Sequence, residues 1–137
     1  MMSSLTHLFK ALSDETRLRM LSLLLTQGEM CVCDFGEVLE ITQSKASRHL
    51  RYLVNVGLLE DRRESMWVYF RIVDEPGSAQ VRILELLSTL LPDRMPPELF
   101  RRWEKWSERK KRGLACDAHQ CCPPIPEEAG EGSGFYP

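Results

Sequence analysis

Ile41-Thr42-Gln43-Ser44-Lys45-Ala46-Ser47-Arg48-His49-Leu50 is the stretch on which the fold turns. Thr42 suits an N-cap, because its hydroxyl can accept from a backbone N–H in the first turn of a following helix. That helix places Ala46, Leu50, Leu53 and Val54 on an inward side, and Gly57 closes it. Its first two turns carry Gln43, Ser44, Lys45, Ser47, Arg48 and His49. A shorter helix over residues 31–40 precedes it, with Phe35, Val38 and Leu39 as its apolar side and Ile41-Thr42-Gln43 as connector. Two short helices joined by a tight turn, the second rich in Ser, Lys, Arg and His, form a candidate helix-turn-helix.

Downstream the apolar period changes from helical to alternating. Residues 58–63 and 66–73 read as two strands of a hairpin with Glu64-Ser65 near its tip. The turn lacks Gly and Asn and is weakly signalled. Pro76-Gly77 breaks the sheet, and a helix over 79–91 follows with Val81, Ile83, Leu84, Leu86, Leu87, Leu90 and Leu91. One small domain cannot hide that much apolar surface on a late helix, so a dimer interface is expected to absorb the surplus. Pro96-Pro97 starts another helix, 98–112, anchored by Phe100, Trp103 and Trp106 and otherwise heavily charged.

Upstream, Leu5, Leu8, Phe9 and Leu12 recur at helical spacing. Ser13 or Asp14 caps a second helix, apolar nearly all round from Leu18 to Leu25, which reads as the buried centre. The expected fold class is mainly α with a β-hairpin wing: a winged helix-turn-helix. Residues 1–92 make the winged, dimerising domain, 93–114 a charged C-terminal helix, and 115–137 a flexible tail that contains cysteines.

The chemistry of the helix that Thr42 caps suits DNA. A helix fits the major groove, where Gln43 can address adenine, Lys45 or Arg48 guanine, and Ser44 and Ser47 phosphate. His49 shares that face, and Arg62 and Arg63 near the hairpin tip suit phosphate or minor-groove contact. A net charge of −2 argues against indiscriminate nucleic-acid binding. Distribution outweighs the total, because no acid occurs between Glu40 and Glu60. No apolar run approaches the ~20 residues that cross a bilayer, and no secretion signal precedes the first helix, so a cytoplasmic protein without membrane contact is expected.

Cys31, Cys33, Cys116, Cys121 and Cys122 fall in two clusters, an odd number that argues against a disulfide framework and for metal or redox work. An enzyme is not indicated, and no catalytic residue is assigned. None of His7, His49 and His119 is paired with a cysteine, and no C-x-x-C accompanies a βαβ unit.

The runs Leu12-Ser13-Asp14-Glu15-Thr16-Arg17-Leu18-Arg19-Met20-Leu21, Gln43 to Leu50, Gly57-Leu58-Leu59 and Trp67-Val68-Tyr69-Phe70-Arg71 resemble the ArsR/SmtB family of metal-responsive repressors. The resemblance covers roughly residues 5–91. It implies a homodimer, with the first helix and the helix after the wing at the interface, and paired recognition helices on an inverted-repeat operator in double-stranded DNA. Glu29-Met30-Cys31-Val32-Cys33-Asp34-Phe35 resembles the arsenic-binding segment of the arsenite-responsive branch. It implies no permanent cofactor and As(III) or Sb(III) as inducer, released repression of arsenic-resistance genes being the outcome.

Thiolates favour such soft ions over harder ligands. Residues i and i+2 of a regular helix face nearly opposite ways. Cys31 and Cys33 are therefore expected to share an ion only if the first turn of their helix distorts, next to the DNA-reading helix. Differential binding of ~2.7 kcal/mol corresponds to a hundredfold loss of operator affinity. Relatives with this motif commonly carry another cysteine three positions on, where this chain has Gly36. Cys116, Cys121 or Cys122 are the remaining sources of a third sulfur, from the same subunit or across the dimer, and an independent tail site or no role stays open. The family's zinc and nickel sensors use His and acids on the dimer helix, where 79–91 offers no His and only Glu85. Cadmium or lead sensing, and thiol-based redox sensing, are the alternatives.

Overall fold

The computed structural model describes residues 2–64 and 67–112. Along the chain come α1 (Met2–Leu12), α2 (Glu15–Gln27), β1 (Met30–Cys31), α3 (Val32–Leu39), α4 (Gln43–Asn55), β2 (Leu59–Glu64), β3 (Trp67–Ile72), α5 (Ala79–Leu90) and α6 (Pro97–Lys111). This is the expected winged helix-turn-helix.

Helix α2 is its centre. The Asp14 carboxylate accepts from the Arg17 N–H at 3.1 Å and starts the helix. Met20, Leu21, Leu23 and Leu24 then lose all contact with water. Each such side chain contributes roughly 1.5–3 kcal/mol relative to exposure. Helix α4 starts at Gln43, so the connector is residues 40–42, one residue earlier than expected. The Thr42 hydroxyl accepts from the Lys45 N–H at 3.1 Å, and Ala46, Leu50 and Leu53 face the core. Beyond α4, Gly57 takes φ +83°, and a Cβ there would sit 3.0 Å from Gln80 Nε2. Gln80 in turn donates to the Val56 carbonyl at 3.2 Å, which stitches the end of α4 to α5.

In the wing, β2 and β3 pair antiparallel from Leu59 with Ile72 to Glu64 with Trp67. The tip was expected near Glu64-Ser65; Glu64 is the last residue of β2, and Ser65 and Met66 lie outside the described residues. The sheet has a third strand that periodicity did not disclose: β1 pairs with β3, Met30 opposite Phe70 and Cys31 opposite Tyr69, giving the order β1-β3-β2. Two residues are too few to show alternation. Cys31 is consequently not in a helix, contrary to expectation. It has extended backbone, φ −103° and ψ 172°, and caps α3 from outside.

Helix α5 leaves Leu86 and Leu90 exposed, the apolar surplus anticipated from sequence, and α1 leaves Leu5 and Phe9 exposed. Helix α6 buries Leu99 and Trp106 against the body of the fold. It runs antiparallel to α3: Arg102 donates to the Val38 carbonyl at 3.2 Å, while Lys110, two turns later, reaches Asp34 at 2.7 Å. Among the described residues no helix is long and apolar enough to cross a membrane.

Candidate functional site

Ser44, Lys45, Ser47 and Arg48 stand exposed on α4, opposite the side that carries Ala46 and Leu50 into the core. No acidic side chain lies on this helix. Its surface therefore offers hydroxyl donors and two cations to a polyanion, and can enter a groove without repelling phosphate.

His49 is on the same helix but is half-buried toward α2. Arg17 Nη1 lies 3.1 Å from His49 Nδ1, so the ring accepts there when neutral and carries its proton on Nε2. Arg17 itself stacks 4.1 Å over the Tyr52 ring and donates to the Ala11 carbonyl at 2.8 Å. Burial pushes His49 below its ordinary pKa; the Asp14 charge opposes this, and the Arg17, Lys45 and Arg48 charges add to it. His49 is thus tied to the α1–α2 junction as well as lying beside the exposed Lys45 and Arg48.

The two wing arginines differ. Arg63 is exposed. Arg62 binds Glu29 through two nitrogens, at 2.8 and 3.0 Å, also pairs with Glu64, and lies 4.7 Å over the Tyr69 ring. Its hydrogen bonds to Glu29 and Glu64 raise its pKa further above the ordinary guanidinium value. Arg62 therefore braces the wing against the residue that leads into β1.

The thiols lie at the junction of three elements. Cys31 and Cys33 are 2% and 4% exposed, too little for either to meet solvent ions without some opening. Cys31, in β1, is tied by its backbone to the wing strand β3. The Tyr69 opposite it has a raised pKa, from burial first and then from the neighbouring Cys31 charge. Cys33, in the first turn of α3, accepts through Sγ from Gln43 Nε2 at 3.2 Å. Gln43 is the first residue of α4, so the side chain expected to read adenine bridges the thiol turn to α4.

Gly36 lies in the same seam. A Cβ there would be 3.3 Å from the Ile41 carbonyl oxygen, tight enough that any side chain would press on the turn between α3 and α4. Its position suits a close-packed turn better than a third sulfur ligand.

Cys31 is a free thiol, whereas Cys33 is disulfide-bonded. This departs from the expectation of thiols free of disulfides, and a sulfur so bonded must be reduced before it can ligate. The expected contributors Cys116, Cys121 and Cys122 lie outside the described residues. Among the described residues no three His, Cys, Asp or Glu side chains converge on a common point. Two soft sulfur donors suit a thiophilic ion once both are reduced.

One acid organises the turn. Asp34, 2% exposed, accepts from the Cys31 N–H at 2.9 Å through Oδ2. Its Oδ1 accepts from Trp106 Nε1 at 2.7 Å and from Lys110 Nζ at 2.7 Å. Sequence reasoning assigned no role to Asp34 or Lys110 and took Trp106 only as a packing anchor. The signal was half visible: Cys31-x-x-Asp34 has the spacing of a capping box, in which the third helical residue reaches back to the cap.

Residues 14–61 match the description "Bacterial regulatory protein, arsR family". The chain is 38% identical to the arsenic resistance transcriptional regulator ArsR1 of Pseudomonas putida over 108 residues, which cover 79% of this chain and 84% of that one. Its fold is similar to the homodimeric winged helix-turn-helix DNA-binding domain of a possible ArsR-family regulator from Mycobacterium bovis, with TM-score 0.56, 28% identity, and coverage of 69% of this chain and 84% of that one. It is also similar to the AntR antimony-specific transcriptional repressor, with TM-score 0.54, 31% identity, and coverage of 66% of this chain and 79% of that one. With a helix-turn-helix and wing in the same order and a similarity that spans most of both chains, the protein belongs to the ArsR family of bacterial regulatory proteins.

Proposed function

We propose that this chain is a cytoplasmic repressor that binds operator DNA as a homodimer and lets go when arsenite or antimonite binds Cys31 and Cys33. The exposed Leu5, Phe9, Leu86 and Leu90 supply an apolar face for a second copy, in keeping with the homodimeric relative. Ser44, Lys45, Ser47 and Arg48 read the major groove, with Gln43 and His49 at its margin, and Arg63 holds phosphate from the wing. Arg62 contributes mainly by fixing the wing.

The observation that carries the release step is the hydrogen bond from Gln43 to Cys33 Sγ. A sulfur drawn into a metalloid site loses that contact, and the first residue of the recognition helix loses its anchor. Cys31 is held by strand pairing to β3, so drawing it toward Cys33 pulls on the wing as well. Both DNA-contacting elements then shift together. The third sulfur comes from Cys116, Cys121 or Cys122.

The test is operator release by arsenite and antimonite from reduced protein, compared with a Cys31→Ser/Cys33→Ser variant. The expected result is unchanged operator binding and at least a hundredfold loss of response. Release of the double variant at the wild-type dose would defeat the reading.

The disulfide at Cys33 favours one second reading, a thiol redox sensor. Two thiols would join as a disulfide, with two electrons and two protons reducing a peroxide to water. Release by peroxide in the absence of any response to arsenite would select it.

A further inference from the structure

Helix α6 reaches the thiol turn through the Asp34 carboxylate. Asp34 has three donors on its two oxygens: the Cys31 backbone, Trp106 and Lys110. The Asp34 and Lys110 side chains are only 3% and 5% exposed, so this is a dry ion pair rather than a surface one. Surface pairs contribute little and yield easily to water, whereas a buried pair is strongly coupled because neither partner can be left alone. The bond to Cys31 is the one that holds its backbone at the mouth of α3. The same carboxylate therefore sets the position of Cys31 and the docking of α6.

We infer that α6 is a lock on the inducer site, with Lys110 and Trp106 as positioning residues that hold Cys31 in its uninduced place through Asp34. The inference rests on the proposed thiol site and adds to it a restraint and an output. Bringing Cys31 and Cys33 onto one ion displaces the Cys31 backbone from Asp34. The carboxylate must then move or lose a donor, and Lys110 and Trp106 are disturbed with it. Coupling of this kind is reciprocal: if the inducer loosens α6, weakening α6 must ease binding of the inducer. Lys110 thus sets the concentration at which the repressor responds. The reach of the lock extends along α6, because Arg102, two turns back, holds the Val38 carbonyl and pairs with Glu40 at the helix-turn-helix connector.

The experiment uses the reduced full-length protein on operator DNA and follows amide hydrogen exchange of residues 98–111 together with operator occupancy, as arsenite is added. Arsenite is expected to speed exchange in α6 at least fivefold in the wild type. Lys110→Met is expected to lower the arsenite concentration for half-release at least tenfold, and Lys110→Arg to restore it to within about twofold. Asp34→Asn/Lys110→Met removes both charges and keeps an amide oxygen for the Cys31 N–H. Folded by circular dichroism and bound to operator, it should respond at the lowered dose, a result that loss of folding does not imitate.

Operator release by arsenite with α6 exchange unchanged, or an unshifted dose in both Lys110→Met and the double variant, overturns the lock while leaving the thiol site standing. Wild-type protein that neither binds arsenite nor leaves its operator overturns the proposed function, and the lock falls with it.

Discussion

Two helix N-termini lie eleven residues apart in this chain, and they are built in opposite ways. The start of α4 is wet: Thr42 caps it with a hydroxyl, and the exposed Ser44, Lys45 and Arg48 project from its first turns. The start of α3 is dry: its cap is the Cys31 backbone held by a carboxylate from within, with Trp106 and Lys110 closing over it. The first presents charge to a partner and loses little when altered locally. The second keeps charge away from water, so its geometry is enforced by neighbours on β3, α4 and α6. Under the proposed function this division suits the roles: a DNA reader has to be accessible, and an inducer-sensing turn has to be restrained. The Gln43–Cys33 hydrogen bond joins the two.

The sharpest way to break this contrast is to remove, in turn, the side chain that organises each N-terminus. Asp34→Ala leaves the Lys110 ammonium buried without a counter-ion and two N–H donors unpaired. Breaking a buried pair in this way costs roughly 3–5 kcal/mol. Thr42→Ala removes a solvent-exposed cap, worth about 1 kcal/mol. Urea unfolding of the two variants should show the first midpoint far below the second. Equal losses would mean that the two N-termini are energetically alike and the contrast is only geometric.

Binding should show the reverse order. Arg48→Ala is expected to weaken operator binding by roughly 1–3 kcal/mol if the side chain meets a base, or to lower the salt slope by about one if it meets phosphate. In either case stability should be almost unchanged. Fluorescence anisotropy with labelled operator at several salt concentrations distinguishes the outcomes. An unaltered affinity together with an unaltered slope would remove Arg48 from the interface.

How much of this was legible before the structure follows from range. The core of α2, the cap at Asp14, the α3–α4 pair and the alternating wing are written in patterns a few residues long, and they emerge with ends displaced by a residue or two. The two-residue strand β1 is too short to have a period, so Cys31 was placed in a helix. Arg62 reads from sequence as a DNA contact, and its bond to Glu29, thirty-three positions away, leaves no local signal. Asp34 and Lys110 are seventy-six positions apart, and Lys110 sits in a run of basic residues that reads as a solvated helix end. The thiol motif could be named from sequence. What restrains it could not, because that depends on how α6 folds back along α3.

The smallest effect concerns His49, which touches both worlds. Its folded pKa is lowered chiefly by burial, against the charge of Asp14 and with that of Arg17, Lys45 and Arg48. An unfolded chain takes up this proton near pH ~6.5, while the folded one resists it. Stability from this site is therefore complete above about pH 6.5 and is lost as pH falls through the folded value, since the unfolded state then binds more protons. Protonation at Nδ1 would also turn an acceptor of the Arg17 guanidinium into a donor facing a cation. His49→Gln keeps polarity at the position without a proton to take up. Between pH 7.5 and 5.5 the urea midpoint of the wild type should fall further than that of the variant, because carboxylate titrations common to both cancel in the difference. Parallel curves would show that the Arg17–His49 contact has no energetic hold on the recognition helix.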